Sequence, residues 1–177
     1  MRTAALLSVG VLLILLQSSL YLVLGPLGLH GATPSLVLPV IIFLGVHESS
    51  MARGALIAFA LGHALDLFAS APMWLFTFVS VAIWWLARVA GVRLTAQTVL
   101  TRMSLAFVFT LVEASIALIL LAIFGADTQR PLELATVVPL RAASTALVSP
   151  LIFKIVQRLY PPAAPARGVA EAQSGQA

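Results

Sequence analysis

AALLSVGVLLILLQSSLYLVL, residues 4–24, is a run of 21 residues without a charge. In a helix, at about 1.5 Å per residue, it covers about 30 Å, the thickness of a bilayer's hydrocarbon core. It is expected to be a retained span and not a cleaved signal. A secretory apolar region is shorter and leads into a soluble chain, whereas here further apolar segments follow at once. Gly25, Pro26, Gly28, Gly31 and Pro34 turn the chain back after it.

The pattern of that first run repeats along the rest of the chain. Of 177 residues, 61% are hydrophobic and 9% charged, with a mean hydropathy of +1.08, against about 25% charged in an ordinary soluble domain. That balance excludes a soluble fold and predicts an all-α, polytopic integral membrane protein. Six transmembrane helices are expected over about 4–24, 35–51, 53–69, 73–90, 103–124 and 132–155. They make one membrane domain over 1–160, followed by a Pro-, Ala-, Gly- and Gln-containing tail, 161–177, expected to be disordered. Segment 35–51 is short of apolar length. Its uninterrupted part, 35–46, reaches only about 18 Å, so it extends to Met51, thins the bilayer or is re-entrant. Pro139 and Pro150 inside the last segment each free a carbonyl and predict kinks buried among neighbours. The absence of cysteine excludes disulfides, thiolate nucleophiles and cysteine metal sites.

The net charge of +4 is a topology signal and not a nucleic-acid footprint, because the basic residues sit at the ends of the apolar runs. With six spans and a cytoplasmic N-terminus, Arg2, Arg53, Arg88, Arg93, Arg102, Lys154, Arg158 and Arg167 lie inside and Arg130 outside. If 35–51 does not cross, the N-terminus moves outside and the C-terminus stays cytoplasmic.

Three charges interrupt the apolar runs of these spans away from their terminal residues: Asp66, Glu113 and Arg141. Each costs about 2.5–3.5 kcal/mol at mid-helix, so each calls for a partner or a function. Counted from the outer ends, Arg141 lies about nine residues down, Glu113 about eleven and Asp66 about four. They are expected to cluster, as a ligand or relay site or as an ion pair that fixes which helices touch. His63 shares a face with Asp66 and is expected to bond it or a backbone carbonyl. No metal is expected, because His30 and His47 fall on opposite sides of the membrane. Gly54, Ala58 and Gly62, continued by Asp66, form a small-residue stripe that admits a close helix, of this chain or of a partner. Trp74, Trp84 and Trp85 read as interfacial anchors.

Two resemblances attach to this region. Ala52-Arg53, eight residues, Gly62, three residues and Asp66 resemble the second half of the CDP-alcohol phosphatidyltransferase signature, whose four aspartates bind two metals. Gly45 and Ser70 stand where its first and last aspartates belong, Glu48 at the second and Ser49 at its glycine. A lipid enzyme is therefore only a remote alternative. The wider likeness runs through Gln17-Ser18-Ser19, the Pro39-containing segment and residues 54–66, GALIAFALGHALD, followed by Pro72. It resembles the rod shape-determining protein MreD family, in which a Gly, three residues and an Asp are followed by a Pro and a Gly. Gly62, Asp66 and Pro72 match, and Trp74 stands at the family's glycine. The resemblance implies a non-catalytic inner-membrane component of the bacterial cell-elongation machinery, without cofactor. Its implied partners are an MreC-type protein, RodA, penicillin-binding protein 2, membrane lipid and, indirectly, MreB. The family also resembles in fold the S components of energy-coupling-factor transporters, so a vitamin-binding transporter subunit is the alternative.

Overall fold

The computed structural model describes residues 2–24, 26, 33–68, 74–91, 98–124 and 131–159. These form six helices, α1 (Arg2–Leu24), α2 (Leu38–His47), α3 (Met51–Phe68), α4 (Leu75–Gly91), α5 (Val99–Phe124) and α6 (Pro131–Leu159), with no strand among the described residues. Pro72 and the expected tail lie outside the described residues. Four helices, α1, α3, α5 and α6, are long and apolar enough to cross a bilayer. Their outward faces carry Leu12, Leu22, Leu56, Val108, Ile123 and Leu147, all exposed. Such a surface has lipid as its natural solvent, so the chain is a membrane protein.

The interior is built around α2. All of Leu38 to Gly45 is buried, and α2 rests mainly on α4 while also touching α3, α5 and α6. Protein on every side explains why its apolar residues show no helical stripe. The helix has only 10 residues, about 15 Å, so the expected span over 35–51 is shorter as a helix than the sequence suggests. Enclosure is the physical reason. A helix sheathed by others need not match the bilayer, provided that protein groups satisfy its ends. At its start Ser35 N–H donates to Thr145 Oγ1 of α6 (2.9 Å) and Leu36 N–H to Gln17 Oε1 of α1 (2.9 Å). Beyond its end, Arg88 of α4 donates to the carbonyls of Glu48 (2.7 Å) and Ser49 (3.2 Å).

Small residues bring α4 against its neighbours. A Cβ at Gly62 would stand 2.7 Å from Thr77 Cα, and one at Gly45 would stand 2.7 Å from both Trp84 O and Ala87 Cβ. At Gly54 it would strike the Trp84 indole. Ala58, between the two glycines of α3, is fully buried. The stripe expected as a close-approach face is thus occupied by this chain's own α4. Trp84 is 3% exposed and fills the notch at Gly54, which corrects its reading as an interfacial anchor; Trp74 and Trp85 are exposed.

The last helix runs through Pro139 and Pro150. Pro150 cannot donate to Ala146 O, one turn back, and the Ser149 hydroxyl does so instead (2.8 Å).

Candidate functional site

Asp66 lies near the end of α3, where its carboxylate reaches the start of α4. Helices leave their first amides without intrahelical partners, and a side-chain oxygen at the cap usually takes those of the second and third residues. The residue before α4 is Trp74, whose carbonyl receives Phe78 N–H (3.0 Å) but whose indole has no oxygen to offer. Asp66 supplies the cap from the neighbouring helix. Its Oδ1 accepts from Phe76 N–H (2.8 Å), and its Oδ2 accepts from Thr77 N–H (2.9 Å) and from the Thr77 hydroxyl. A carboxylate at a helix N-terminus also meets the positive end of the dipole. Gly62, one turn earlier on α3, lets α4 come close enough for these bonds.

Trp74 has φ 74°, in the left-handed region that glycine favours. Its ring stacks at 5.1 Å on His63 and lies 6.3 Å from Phe59. His63 therefore belongs to an aromatic stack beside Asp66. Its Nδ1 is buried without a hydrogen-bond partner, so the expected bond from that nitrogen to Asp66 or to a carbonyl is not formed. The backbone conformation and the ring contacts pull in opposite directions. Left-handed backbone costs a non-glycine residue about 1–2 kcal/mol, and aromatic contacts return about 0.5–1.5 kcal/mol. Trp74→Ala is expected to lose the stack and keep the strain. Trp74→Gly loses the stack and relieves the strain, so it should be the more stable of the two by about 1 kcal/mol. Melting curves of the two purified variants test this, and Ala above Gly would refute it.

The other two intramembrane charges meet elsewhere. Glu113 lies with Ala106, Phe109 and Thr110 on the buried stripe of α5, and Arg141 of α6 approaches it with Nη2 4.0 Å from Oε1. Asp66 makes no ion pair among the described residues; both its oxygens are engaged by α4. The expected three-charge cluster therefore resolves into an Arg–Glu pair between α5 and α6 and a cap between α3 and α4. Below the pair, the Thr145 hydroxyl donates to Arg141 O (2.7 Å) while accepting the Ser35 amide, tying α6 to the approach to α2.

A second polar group gathers at the opposite end. Buried Glu48 lies 3.9 Å from Arg53 and accepts Ser50 N–H (3.1 Å), and Arg102 of α5 donates to Gln157 of α6 (3.3 Å). Glu48 precedes α3 and Asp66 lies near its far end, about 22 Å along the axis from Met51. The two carboxylates of the partial phosphatidyltransferase signature thus face opposite ends of the bundle. Among the described residues no group of three or more His, Asp or Glu is placed to hold a metal ion.

Gln17, Thr77, Arg88 and Thr145 satisfy the ends of α2 and α4, a role that the sequence pattern does not assign to any of them. Gln17 and Thr145 do carry a signal, because each is a polar residue within an apolar run that needs a partner in lipid. Compared with family models, with curated proteins and with solved structures, the chain matches none.

Proposed function

We propose that this chain is a non-catalytic inner-membrane component of a bacterial cell-elongation complex, in keeping with its likeness to the MreD family. In this reading it spans the membrane six times with both termini cytoplasmic. It binds an MreC-type protein and the associated synthases RodA and penicillin-binding protein 2, with MreB an indirect partner. The observation that carries the reading is the joint between α3 and α4. Two of the matching positions serve one mechanical purpose there: Gly62 admits α4 and Asp66 caps it, while Trp74, at the family's glycine, adopts the backbone that glycine favours. Residues used for building a hairpin need no reaction to explain them. With short loops, the surfaces left for partners are the apolar outer faces of the helices and the basic rim at the α2 C-terminal end.

A transporter subunit needs a ligand site, for which a cluster of Asp66, Glu113 and Arg141 is the candidate, and Asp66 is spent on α4 instead. Co-purification in mild detergent separates the two. An MreC-type protein is expected to come down with the tagged chain at near-equal amounts. Recovery of the chain alone, or with a transporter ATPase, would overturn the proposal.

A further inference from the structure

Arg141 occupies an unusual place for a charge in this bundle. It lies ten residues into α6, about 15 Å along the axis from the helix's first residue. On α6 it lies beside Val137 and Ser144, four residues before it and three after, at the edge of a face that also carries Leu140 and Leu147. Val137, Leu140 and Leu147 are exposed apolar residues, so this face borders lipid. The arginine side chain itself is 35% exposed, whereas that of Glu113 is 10% exposed.

The pair between them is loose. A hydrogen-bonded guanidinium and carboxylate approach to about 2.7–2.9 Å, often through two parallel bonds. Here the nearest atoms are 4.0 Å apart. Among the described residues Glu113 is the one acidic partner of Arg141, so a guanidinium with five N–H donors has one distant carboxylate on its protein side. Its exposed part borders acyl chains, which accept no hydrogen bonds. A long side chain on a helix leans toward the N-terminal end, so the guanidinium snorkels to a level nearer the leaflet's phosphates than its Cα.

We propose that Arg141 is a binding site for the phosphate of an anionic membrane lipid, whose head group rests at the α6 N-terminal end of the α5–α6 seam and whose acyl chains lie along Val137, Leu140 and Leu147. Glu113 limits the affinity of this site. It holds the guanidinium from the buried side and repels the incoming phosphate, so the lipid and the carboxylate compete for one cation. A free phosphate ion offers the same head-group chemistry and lacks the chains that the apolar face accommodates.

The test uses the full chain reconstituted in vesicles of equal phosphatidylglycerol and phosphatidylcholine, extracted gently, with retained lipid read by native mass spectrometry. Wild type is expected to retain phosphatidylglycerol about fivefold over phosphatidylcholine. Glu113→Gln should retain at least as much as wild type, and Arg141→Gln should fall to the phosphatidylcholine level. Because Arg141→Gln leaves a buried carboxylate alone, the uncharged double variant E113Q/R141Q is measured beside it; folded by circular dichroism, it should also show no preference. A purely structural ion pair would lower the melting temperature of both single variants and leave the lipid preference unmoved. The proposal fails if wild type shows no preference, if the folded double variant keeps it, if Glu113→Gln weakens it, or if inorganic phosphate alone displaces the lipid.

Discussion

Asp66→Ala is expected to destabilise the bundle by about 3 kcal/mol, because three donors lose one charged acceptor at once. The amides of Phe76 and Thr77 belong to the first turn of α4 and have no intrahelical carbonyl to fall back on. Only the Thr77 hydroxyl can turn to another acceptor. Asp66→Asn should lie between wild type and Asp66→Ala, with a loss of about 2 kcal/mol, since the amide keeps one accepting oxygen and points an N–H₂ at the donors that the other oxygen served. Hydrogen bonding alone would make asparagine harmless if one oxygen did the work, but here both oxygens accept. Denaturation in mixed micelles gives the stabilities, and under the proposed function complementation of a shape-defective bacterial strain should follow the same order: wild type, then Asn, then Ala. Wild-type behaviour of both variants would show the cap to be idle.

The membrane class and the helical segments are legible in the sequence because length and hydropathy are collective properties that no single contact alters. Segment 35–51 marks where that legibility stops. A run such as Leu38-Pro39-Val40-Ile41-Ile42-Phe43-Leu44 is equally apolar whether lipid or other helices surround it, and periodicity carries no information when every face is covered. What distinguishes the two cases is the fate of the chain ends, and that depends on Gln17, Thr145 and Arg88, residues 19, 110 and 40 positions away from their partners. Trp84 misleads for a related reason. Its place near a helix end suggests an interfacial anchor, while the notch it fills is created by Gly54 on another helix.

The charges divide similarly. Depth counted along the helices is enough to bring Arg141 and Glu113 together, because it uses only helical rise and the antiparallel order of α5 and α6. The same count places Asp66 higher in the bundle and says nothing of the chain beyond the α3–α4 turn. A carboxylate a few residues before a turn has a nearer claimant than any distant arginine: the unpaired amides of the helix that follows. That rule is local and could have been applied to the sequence, since Asp66 and Thr77 are only 11 residues apart.

Gly62→Ala is expected to cost about 3 kcal/mol, of which overpacking supplies only part. The added methyl would stand 2.7 Å from Thr77 Cα and 2.8 Å from Phe76 O, atoms of helix backbone that cannot swing aside, so α4 must move off by about 1 Å. That movement stretches the bonds from Phe76 and Thr77 to Asp66, which weaken steeply with distance and misalignment. Gly62→Ala therefore carries within it part of the Asp66→Ala effect. The double variant G62A/D66A should fall short of the sum of the single losses by about 1–2 kcal/mol, the signature of two residues acting through one contact. Gly10→Ala is the control. Its methyl would meet the terminal carbons of Leu61, a side chain free to change rotamer, and should cost about 1 kcal/mol or less and add to Asp66→Ala without coupling. Full additivity at position 62, measured by the same micelle denaturation, would mean that Gly62 and Asp66 serve separate ends and that the hinge between α3 and α4 is not a single device.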